Sequence, residues 1–315
     1  MLNRRHIRIK AMQAIYALHQ SEEQDTLKES KFLQLSINQM YDLYVILLDL
    51  IVEIHAHAQE HLEISQKKIL ATEEDKNPSL NFVNNALLVK LSENETLQKE
   101  LKRRKLKTWR LDNEYVHLIF EELRESELYK EYLAVAKPTF KEDRDFVIEF
   151  YKQIIAPNDK LYDYLEDYRL TWLDDLPVVN TTIVMRLQKI KPNSPESTVL
   201  PKLYKDEEDE QFAKDLYRRT VANTEFFDDA IKGNTPNWDQ DRIAMIDRVL
   251  LHMAICEFLK FPSIPIKVTI NEYLELAKEY STPKSSIFVN GVLDRLVKQY
   301  QRDGELHKSG RGLIE

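Results

Sequence analysis

Two neighbouring segments near the end of the chain decide the fold: PIKVTINEYLELAKEY at residues 265–280 and SSIFVNGVLDRL at residues 285–296. A proline opens the first segment, as suits the first turn of a helix, and a Thr-Pro pair follows it as a stop. Between them, apolar residues recur at helical spacing, namely Ile266, Ile270, Leu274 and Ala277. The sequence therefore predicts two consecutive amphipathic helices, with Ser285 or Ser286 capping the second.

Gly291 lies inside the apolar pattern of the second helix, where glycine costs about 1 kcal/mol relative to alanine. A position that accepts this cost indicates close approach of a neighbouring helix or of a ligand. Asn290 beside it offers both hydrogen-bond donors and an acceptor. Tight packing of two structural helices and a binding role account equally well for this pattern, and both stay open here.

Glycine is scarce, with five residues in 315, and all five lie beyond residue 232. Phosphate loops and dinucleotide-binding fingerprints need glycine, so none can form in the first 232 residues. The scarcity also disfavours tight primed hairpin turns. Hydrophobic residues make up 43% of the chain and charged residues 31%, which indicates a sizeable core under a charged surface. We predict an all-α protein.

Cysteine content and apolar runs indicate a cellular location. The single Cys256 excludes a disulfide framework and a clustered zinc site, and it fits a reducing compartment. The basic first ten residues contain no signal-peptide core, and the best apolar run, residues 43–52, is too short to span a bilayer. No nucleophile or acid–base motif is recognisable. We expect a soluble cytoplasmic protein that is not an enzyme, with no cofactor, metal or membrane contact.

Helical periodicity and loop signals predict five regions. Residues 1–20 form a first helix. Residues 21–190 form a second helical region, and residues 206–301 form a third. Residues 191–205, which contain three prolines, are a linker, and residues 302–315 are a polar tail.

The helical region at residues 21–190 has two further features. Its first helical stretch runs from about residue 29 to residue 70, and we expect it to break at least once because uncapped helices of this length are unusual. An offset of 66 residues aligns the second half of this region with part of residues 206–301. The aligned pairs include Phe146 with Phe212, Tyr151 with Tyr217, Leu165 with Ile231, Trp172 with Trp238 and Asp175 with Asp241. Internal duplication explains the register, and chance similarity of helix pairs is the alternative.

The first helix carries a local excess of positive charge: Arg4, Arg5, His6, Arg8 and Lys10, with no acid before Glu22. Because the protein has a formal net charge of −8, any phosphate binding has to be local. The planar fork of arginine can grip phosphate oxygens or stack on a base. Tyr16 lies further along the same flank and could stack on an unpaired base. A solvated basic terminus is the alternative.

Three other charged clusters favour structural interpretations. The basic run at residues 99–110 is typical of a solvated helix end, although it could extend a nucleic-acid surface. His55, His57 and His61 are typical of an exposed polar helix face. His57 and His61 lie one turn apart and could hold a metal with Glu60 or Glu53, but no second ligand motif accompanies them. The acidic run at residues 206–210 predicts the amino-terminal cap of a helix.

These segments together resemble the NusB family of bacterial transcription antitermination factors. INE, ELAK and FVNGVLD occur in order and at family spacing within residues 270–294. Residues 212–259 resemble the central helices of the family, and RRHIR followed by AMQAIY at residues 4–16 resembles its arginine-rich first helix. The resemblance covers roughly residues 3–20 and 207–301.

The resemblance implies an all-α bundle of two subdomains, here with an extra helical domain inserted after the first helix. It implies no catalysis, but binding of boxA-type single-stranded RNA together with NusE, a small-subunit ribosomal protein, and action on elongating RNA polymerase during ribosomal RNA synthesis. Carried over by position, the RNA contacts are Arg4, Arg5, Arg8, Gln13 and Tyr16, bordered by Ser286, Phe288 and Asn290. The structural motif contains Asn271, Glu272, Gly291 and Asp294.

The sequence departs from the family pattern at His6, where the richest form of the motif has arginine, and at Ile287, where lysine is common. A protein-binding scaffold that has lost RNA binding is therefore a second hypothesis, also favoured by the acidic net charge and the insertion. The RNA-binding module of a ribosomal RNA cytosine methyltransferase is a third. Such enzymes carry a glycine-containing cofactor domain downstream, and the fifteen residues after Tyr300 do not predict one.

Overall fold

The computed structural model describes residues 1–67, 78–235 and 242–313, and all regular secondary structure within them is helical. The prediction of an all-α protein is thus confirmed. The chain divides into two compact units. Unit 1 comprises Met1 and Asn38–Leu203, and unit 2 comprises Leu2–Ile37 and Tyr204–Glu315.

Fifteen α-helices lie within the described residues. In chain order they are α1 (Arg4–Gln20), α2 (Thr26–Gln66), α3 (Ala86–Ser92), α4 (Glu95–Arg104), α5 (Thr108–Leu111), α6 (Glu114–Glu125), α7 (Glu127–Leu133), α8 (Phe140–Phe150), α9 (Asp159–Tyr168), α10 (Leu176–Lys189), α11 (Glu207–Val221), α12 (Thr224–Asn234), α13 (Met245–Lys260), α14 (Ile266–Tyr280) and α15 (Ser285–Asp303). A π-helical turn, Tyr151–Ile155, continues α8, and 3₁₀ turns cover Leu170–Trp172, Glu196–Val199 and Gly310–Leu313.

Unit 2 is built around α13, which contacts α1, α11, α12, α14 and α15. Residues 249–258 of this helix are all buried, including the polar His252 and Glu257. A helix that is apolar on every side has to be surrounded by other elements. Helix α13 therefore holds α1 and α14 in fixed positions at its sides.

The starts of α1 and α15 are fixed by side chains. The Asn3 side chain accepts a hydrogen bond from the His6 backbone N–H at 2.8 Å and caps α1. At α15 the prediction of a serine cap is wrong, because the cap position is Lys284 and makes no side-chain cap bond. Ser285 instead donates to Asp247 at 2.8 Å, and Ser281 donates to the same carboxylate at 2.7 Å. The buried Asp247 thus ties α13 to the motif helix α15.

In unit 1, the part of α2 beyond Ile37 is buried among the other helices. The indole N–H groups of Trp109 and Trp172 donate to the carbonyl oxygens of Ile46 and Gln39, at 2.6 and 2.9 Å. Helix α2 runs unbroken over 41 residues, so the prediction of a break was wrong within the described range. The helix is long and apolar enough to cross a membrane, but 83% of its apolar 18-residue stretch is buried inside the protein. Such burial is typical of a core helix.

The predicted linker packs on unit 1. The Glu196 carboxylate accepts hydrogen bonds from the Thr96 N–H and hydroxyl, both at 3.0 Å. The Tyr44 hydroxyl donates to the carbonyl oxygen of Val199, which is itself buried. Residues 191–203 therefore belong to unit 1 as folded structure.

Candidate nucleic-acid interface

A groove of about 770 Å³ runs along the start of α1 in unit 2. Helix α1 forms one side, α14 forms the other, and the loop at residues 263–265, which connects α13 to α14, also lines the groove. Its charged lining residues among those described are Arg4, Arg5, Arg8, Lys267, Arg311 and Glu272. The lining thus contains five cations and one carboxylate, while Glu208, Asp209 and Glu257 pair with Arg4 and Arg8 from outside the lining. The cations that face the open groove favour a polyanionic ligand.

Arg8 lies at the floor of the groove, and its side chain is only 2% exposed. Its Nε and Nη2 donate to the two carboxylate oxygens of Glu257, at 2.7 and 2.9 Å. Burial opposes the charge on the guanidinium, but the Glu257 carboxylate outweighs this effect and raises the pKa of Arg8 above its ordinary value. This bidentate pairing leaves Arg8 little capacity for an external phosphate.

Glu257 is the centre of a buried network that the sequence interpretation missed. Its carboxylate also accepts hydrogen bonds from the Thr269 hydroxyl at 3.1 Å and from the Tyr273 hydroxyl at 2.8 Å. These bonds join α1, α13 and α14 at one fully buried point. The available signal was a lone acid within the apolar run of residues 249–258, since a charge buried there requires partners.

Arg4 and Arg5 stand nearer to solvent, each paired with acids of unit 2. Arg5 is 47% exposed and forms a bidentate pair with Glu272, both bonds at 2.9 Å. Arg4 donates to Glu208 and to Asp209, both at 2.7 Å, and its guanidinium lies over the Phe212 ring. Both arginines are therefore oriented by carboxylates before any ligand binds.

Lys267 and Arg311 also line the groove, and the sequence interpretation did not include them. Lys267 is exposed on the first turn of α14, and it has no ion-pair partner within the described part of the chain. Arg311 lies 3.5 Å from Glu208 and is 69% exposed. Lys267 stands two residues after the start of the motif segment at Pro265, so its position there could have identified it. Arg311 follows from the fold of the tail alone.

Other predicted contact residues lie outside the groove. Gln13 is half-buried and Tyr16 is exposed, and eleven residues separate Arg5 from Tyr16, or about 17 Å of helix axis. On α15, Ser286, Phe288 and Asn290 are half-buried, and none of them lines the groove. His6 is buried, so in this conformation it is not presented to a ligand.

The motif residues are mostly on the surface. Asn271, Gly291 and Asp294 are exposed, whereas Glu272 pairs with Arg5. A Cβ added at Gly291 would meet no atom within 4 Å. Packing of described helices against each other therefore does not require glycine there, which removes the tight-packing explanation of the pattern. Ile287, one turn earlier, is 75% exposed.

The other charged clusters have partners in their own units. In the basic run, Arg103 and Arg104 donate to Glu100, and Arg104 also donates to Asp42 at 2.7 Å. The prediction of an exposed histidine face is wrong for His55, which is buried and hydrogen-bonded to Ser92 and to the Val83 carbonyl. Within the described residues no group of His, Cys, Asp and Glu side chains could hold a metal ion. Asp206 accepts from the Asp209 N–H at 3.0 Å, which confirms the predicted cap of α11.

Comparison with known proteins places this chain among antitermination factors. The NusB family model matches residues 187–298. Transcription antitermination protein NusB of Salinibacter ruber is 46% identical over 112 residues, which are 36% of this chain and 70% of that protein. The NusB proteins of Chloroherpeton thalassium and Natranaerobius thermophilus are 44% and 39% identical, over 47% and 66% of their lengths. The solved structure of T. maritima NusB is 34% identical and has a TM-score of 0.29, over 36% of this chain and 78% of that one.

The family-model match contains α11 to α15 but neither α1 nor most of unit 1. The relatives are named as antitermination factors, which are not enzymes, in agreement with the prediction of a non-enzymatic chain. Identity of 46% across 70% of a NusB protein supports the resemblance seen in the motif segments. The chain belongs to the NusB family.

Proposed function

We propose that this protein is a cytoplasmic transcription antitermination factor whose α1 groove binds single-stranded RNA of the boxA type. It acts together with a NusE-like ribosomal protein on elongating RNA polymerase during ribosomal RNA synthesis. Family membership supports the role in antitermination. The observation that carries the RNA-binding part is the groove, whose lining contains five cations and presents Arg5, Lys267 and Arg311 to solvent.

The lining cations differ in how readily they can bind a phosphate. Lys267 is exposed and has no ion-pair partner among the described residues, so it is available at once. Arg5 is half-exposed and paired with Glu272, and exposed ion pairs contribute only about 0–1 kcal/mol. An incoming phosphate can therefore replace Glu272 at little cost. Arg5 and Lys267 are the two primary phosphate contacts in this proposal.

Arg4 and Arg8 have different roles. Arg4 is held by two acids, of which Asp209 is nearly buried, so it contributes to the local field and gives up its partners less readily. Arg8 is neutralised by Glu257 in the interior. We assign Arg8 to positioning α1 against α13 and not to direct contact with RNA.

An RNA strand that leaves the groove along α1 would reach Gln13 and Tyr16. The Tyr16 ring is exposed, and stacking of a base on an aromatic ring contributes about 1–3 kcal/mol. The positive groove would then hold the backbone, and Tyr16 would hold an unstacked base. The α15 residues Ser286, Phe288 and Asn290 remain proposed as the border of the RNA surface.

Fluorescence anisotropy tests this function. The full chain is titrated into a labelled single-stranded RNA that carries a boxA element, at two salt concentrations. The double variant Arg5→Ala/Lys267→Ala should bind about ten- to hundredfold more weakly, because two phosphate contacts are lost. Its dependence of log affinity on log salt should flatten by about 0.7 for each lost contact.

Matched controls lie in the same unit. Lys278 is on the same helix as Lys267, and Arg218 is exposed and paired on α11, and neither lines the groove. Lys278→Ala and Arg218→Ala should bind as the wild type does. Equal affinities and equal salt slopes for the double variant and the wild type would contradict the proposed RNA site.

The scaffold hypothesis is favoured by one observation. Ile287 is 75% exposed on α15, and beside it the open space at Gly291 would admit the backbone of a protein partner. Under this hypothesis the NusE-like protein binds the chain and no RNA is retained. Co-purification of that protein without RNA, together with no RNA binding by the isolated chain, would favour the scaffold over the first proposal.

A further inference from the structure

The residues after α15 fold back onto α13. Helix α15 ends at Asp303, and Gly304 terminates it in the left-handed conformation, with φ of 69°. The Lys308 ammonium then donates to the carbonyl oxygens of Glu257 and Phe261, both at 3.1 Å. These oxygens lie at the end of α13, where a cation is favoured by the helix dipole. The predicted polar tail is therefore docked.

Lys308 anchors the residues after α15 to the end of α13. Burial lowers its pKa to about 8, with the Glu257 carboxylate acting in the opposite direction. The Ser309 N–H adds a backbone bond of 3.1 Å to the Pro262 carbonyl oxygen. Three hydrogen bonds thus hold residues 308–309 against the end of α13 and the following loop.

Two of the five glycines in the chain flank Arg311, and each position needs glycine for its own reason. Gly310 has φ of 56°, which other residues rarely adopt. A Cβ at Gly312 would lie 2.0 Å from the Pro262 carbonyl oxygen, so only glycine permits this approach. The turn that they form presents Arg311 in the groove beside Arg4, and both arginines contact the carboxylate of Glu208.

We propose that residues 304–313 are a docked strap which completes the RNA groove and supplies Arg311 as an additional phosphate contact. This inference rests on the proposed function, since it concerns the same ligand and the same groove. The strap adds a cation from a distant part of the sequence to those of α1 and α14. Because Lys308 and Gly312 hold it in place, Arg311 loses little conformational freedom when a phosphate binds.

Three variants of the full chain test the strap, with hydrogen exchange of residues 304–313 and anisotropy with boxA RNA as readouts. Arg311→Ala should keep the strap protected and weaken RNA binding about three- to tenfold, with a salt slope reduced by about 0.7. Gly312→Ala should release the strap, because its Cβ cannot fit against Pro262, and should cause a similar loss of affinity. Arg302→Ala, an exposed arginine on α15 outside this groove, should change neither readout.

Failure of the strap inference can be distinguished from failure of the proposed RNA-binding function. If the wild type binds RNA and both Arg311→Ala and Gly312→Ala bind it equally well, the strap is not part of the site and the inference is overturned. An unprotected strap in the wild type would overturn it as well. If the wild type binds no RNA, the proposed function itself fails, and the role of Arg311 fails with it.

Discussion

The guanidinium of Arg8 and the carboxylate of Glu257 decide how the basic helix is used. A basic residue near the start of a chain usually lies in solvent, but here α1 packs on α13 and the Arg8 side chain is 2% exposed. Two charges removed from water in this way stabilise a fold only as a matched pair. Arg8 therefore belongs to the structure, whereas Arg5 and Lys267 remain available to a ligand.

Replacing Arg8 should destabilise unit 2 rather than weaken RNA binding alone. Arg8→Ala leaves Glu257 buried without its counter-charge, and loss of one partner of a buried pair costs about 3–5 kcal/mol. Urea unfolding and amide hydrogen exchange of α1 and α13 measure the effect. The exposed Arg5→Ala is the control and should cost less than about 1 kcal/mol. Wild-type stability of Arg8→Ala would show that the network does not hold α1.

At the scale of an element, helix α2 is likewise shaped by burial that its local sequence does not predict. Its apolar stripe predicts a helix, and the structure has one, but without the expected break. The prediction assumed that a helix this long lacks support, whereas burial of residues 43–48 among neighbouring helices supplies it. Asp49 directly follows these residues and is itself only 7% exposed.

Asp49 should make the stability of unit 1 depend on pH. Burial raises the pKa of its carboxyl to about 7, and Glu53 adds to this effect while Arg110 opposes it. The folded state then holds a proton that the unfolded state releases near pH 4. The stability is therefore highest at acidic pH and falls as pH rises from about 4 to about 7.

Asp49→Asn should remove this dependence. The variant should match the wild type near pH 4 and exceed its unfolding free energy by roughly 2–4 kcal/mol above about pH 7. Urea unfolding followed by tryptophan fluorescence measures the difference at each pH. Glu60→Gln, at an exposed position of the same helix, is the control and should show no such trend. A constant difference across this range would contradict the raised pKa.

The elements that were predicted well are those whose signal is local. The cap of α11 and the helical class follow from spacing and capping chemistry within a few residues. Helix α14 was also predicted, but its buried face consists of Thr269, Tyr273, Leu276 and Ala277, so only Ala277 of the predicted stripe is buried. The groove could be predicted only in part. Arg4 and Arg5 follow from a local run, but Arg311 reaches the groove through a turn that depends on contact with Pro262. Nor could local sequence show that Arg8 is buried, since Glu257 lies 249 positions away.

At the scale of the whole molecule, we propose that unit 1 is the inserted domain and that unit 2 is the family core. The 66-residue offset places α8 with its π turn on α11, and α9 on α12, to within one residue at each end. Paired positions share burial, as in Phe146 with Phe212 and Leu165 with Ile231. Trp238 and Asp241 lie outside the described residues, so the duplication stays a prediction supported by these helix bounds.

Each unit contains a basic cluster. The cluster of unit 2 lines a groove. In unit 1 the arginines of residues 103–104 are paired with Glu100 and Asp42 on their own surface. In unit 2 the cations of α1, α14 and the strap line a shared cavity. We therefore propose that RNA binds to the basic cluster of unit 2 and not to that of unit 1.

Photo-crosslinking of the full chain to 4-thiouridine-labelled boxA RNA, with mass-spectrometric mapping of the linked peptides, tests this claim most directly. Cross-links are expected in the peptides that contain residues 3–8, 263–268 and 311. None are expected in residues 99–110, where Arg103 and Arg104 are paired with Glu100 and Asp42. Cross-links confined to residues 99–110, or spread evenly over both units, would contradict it.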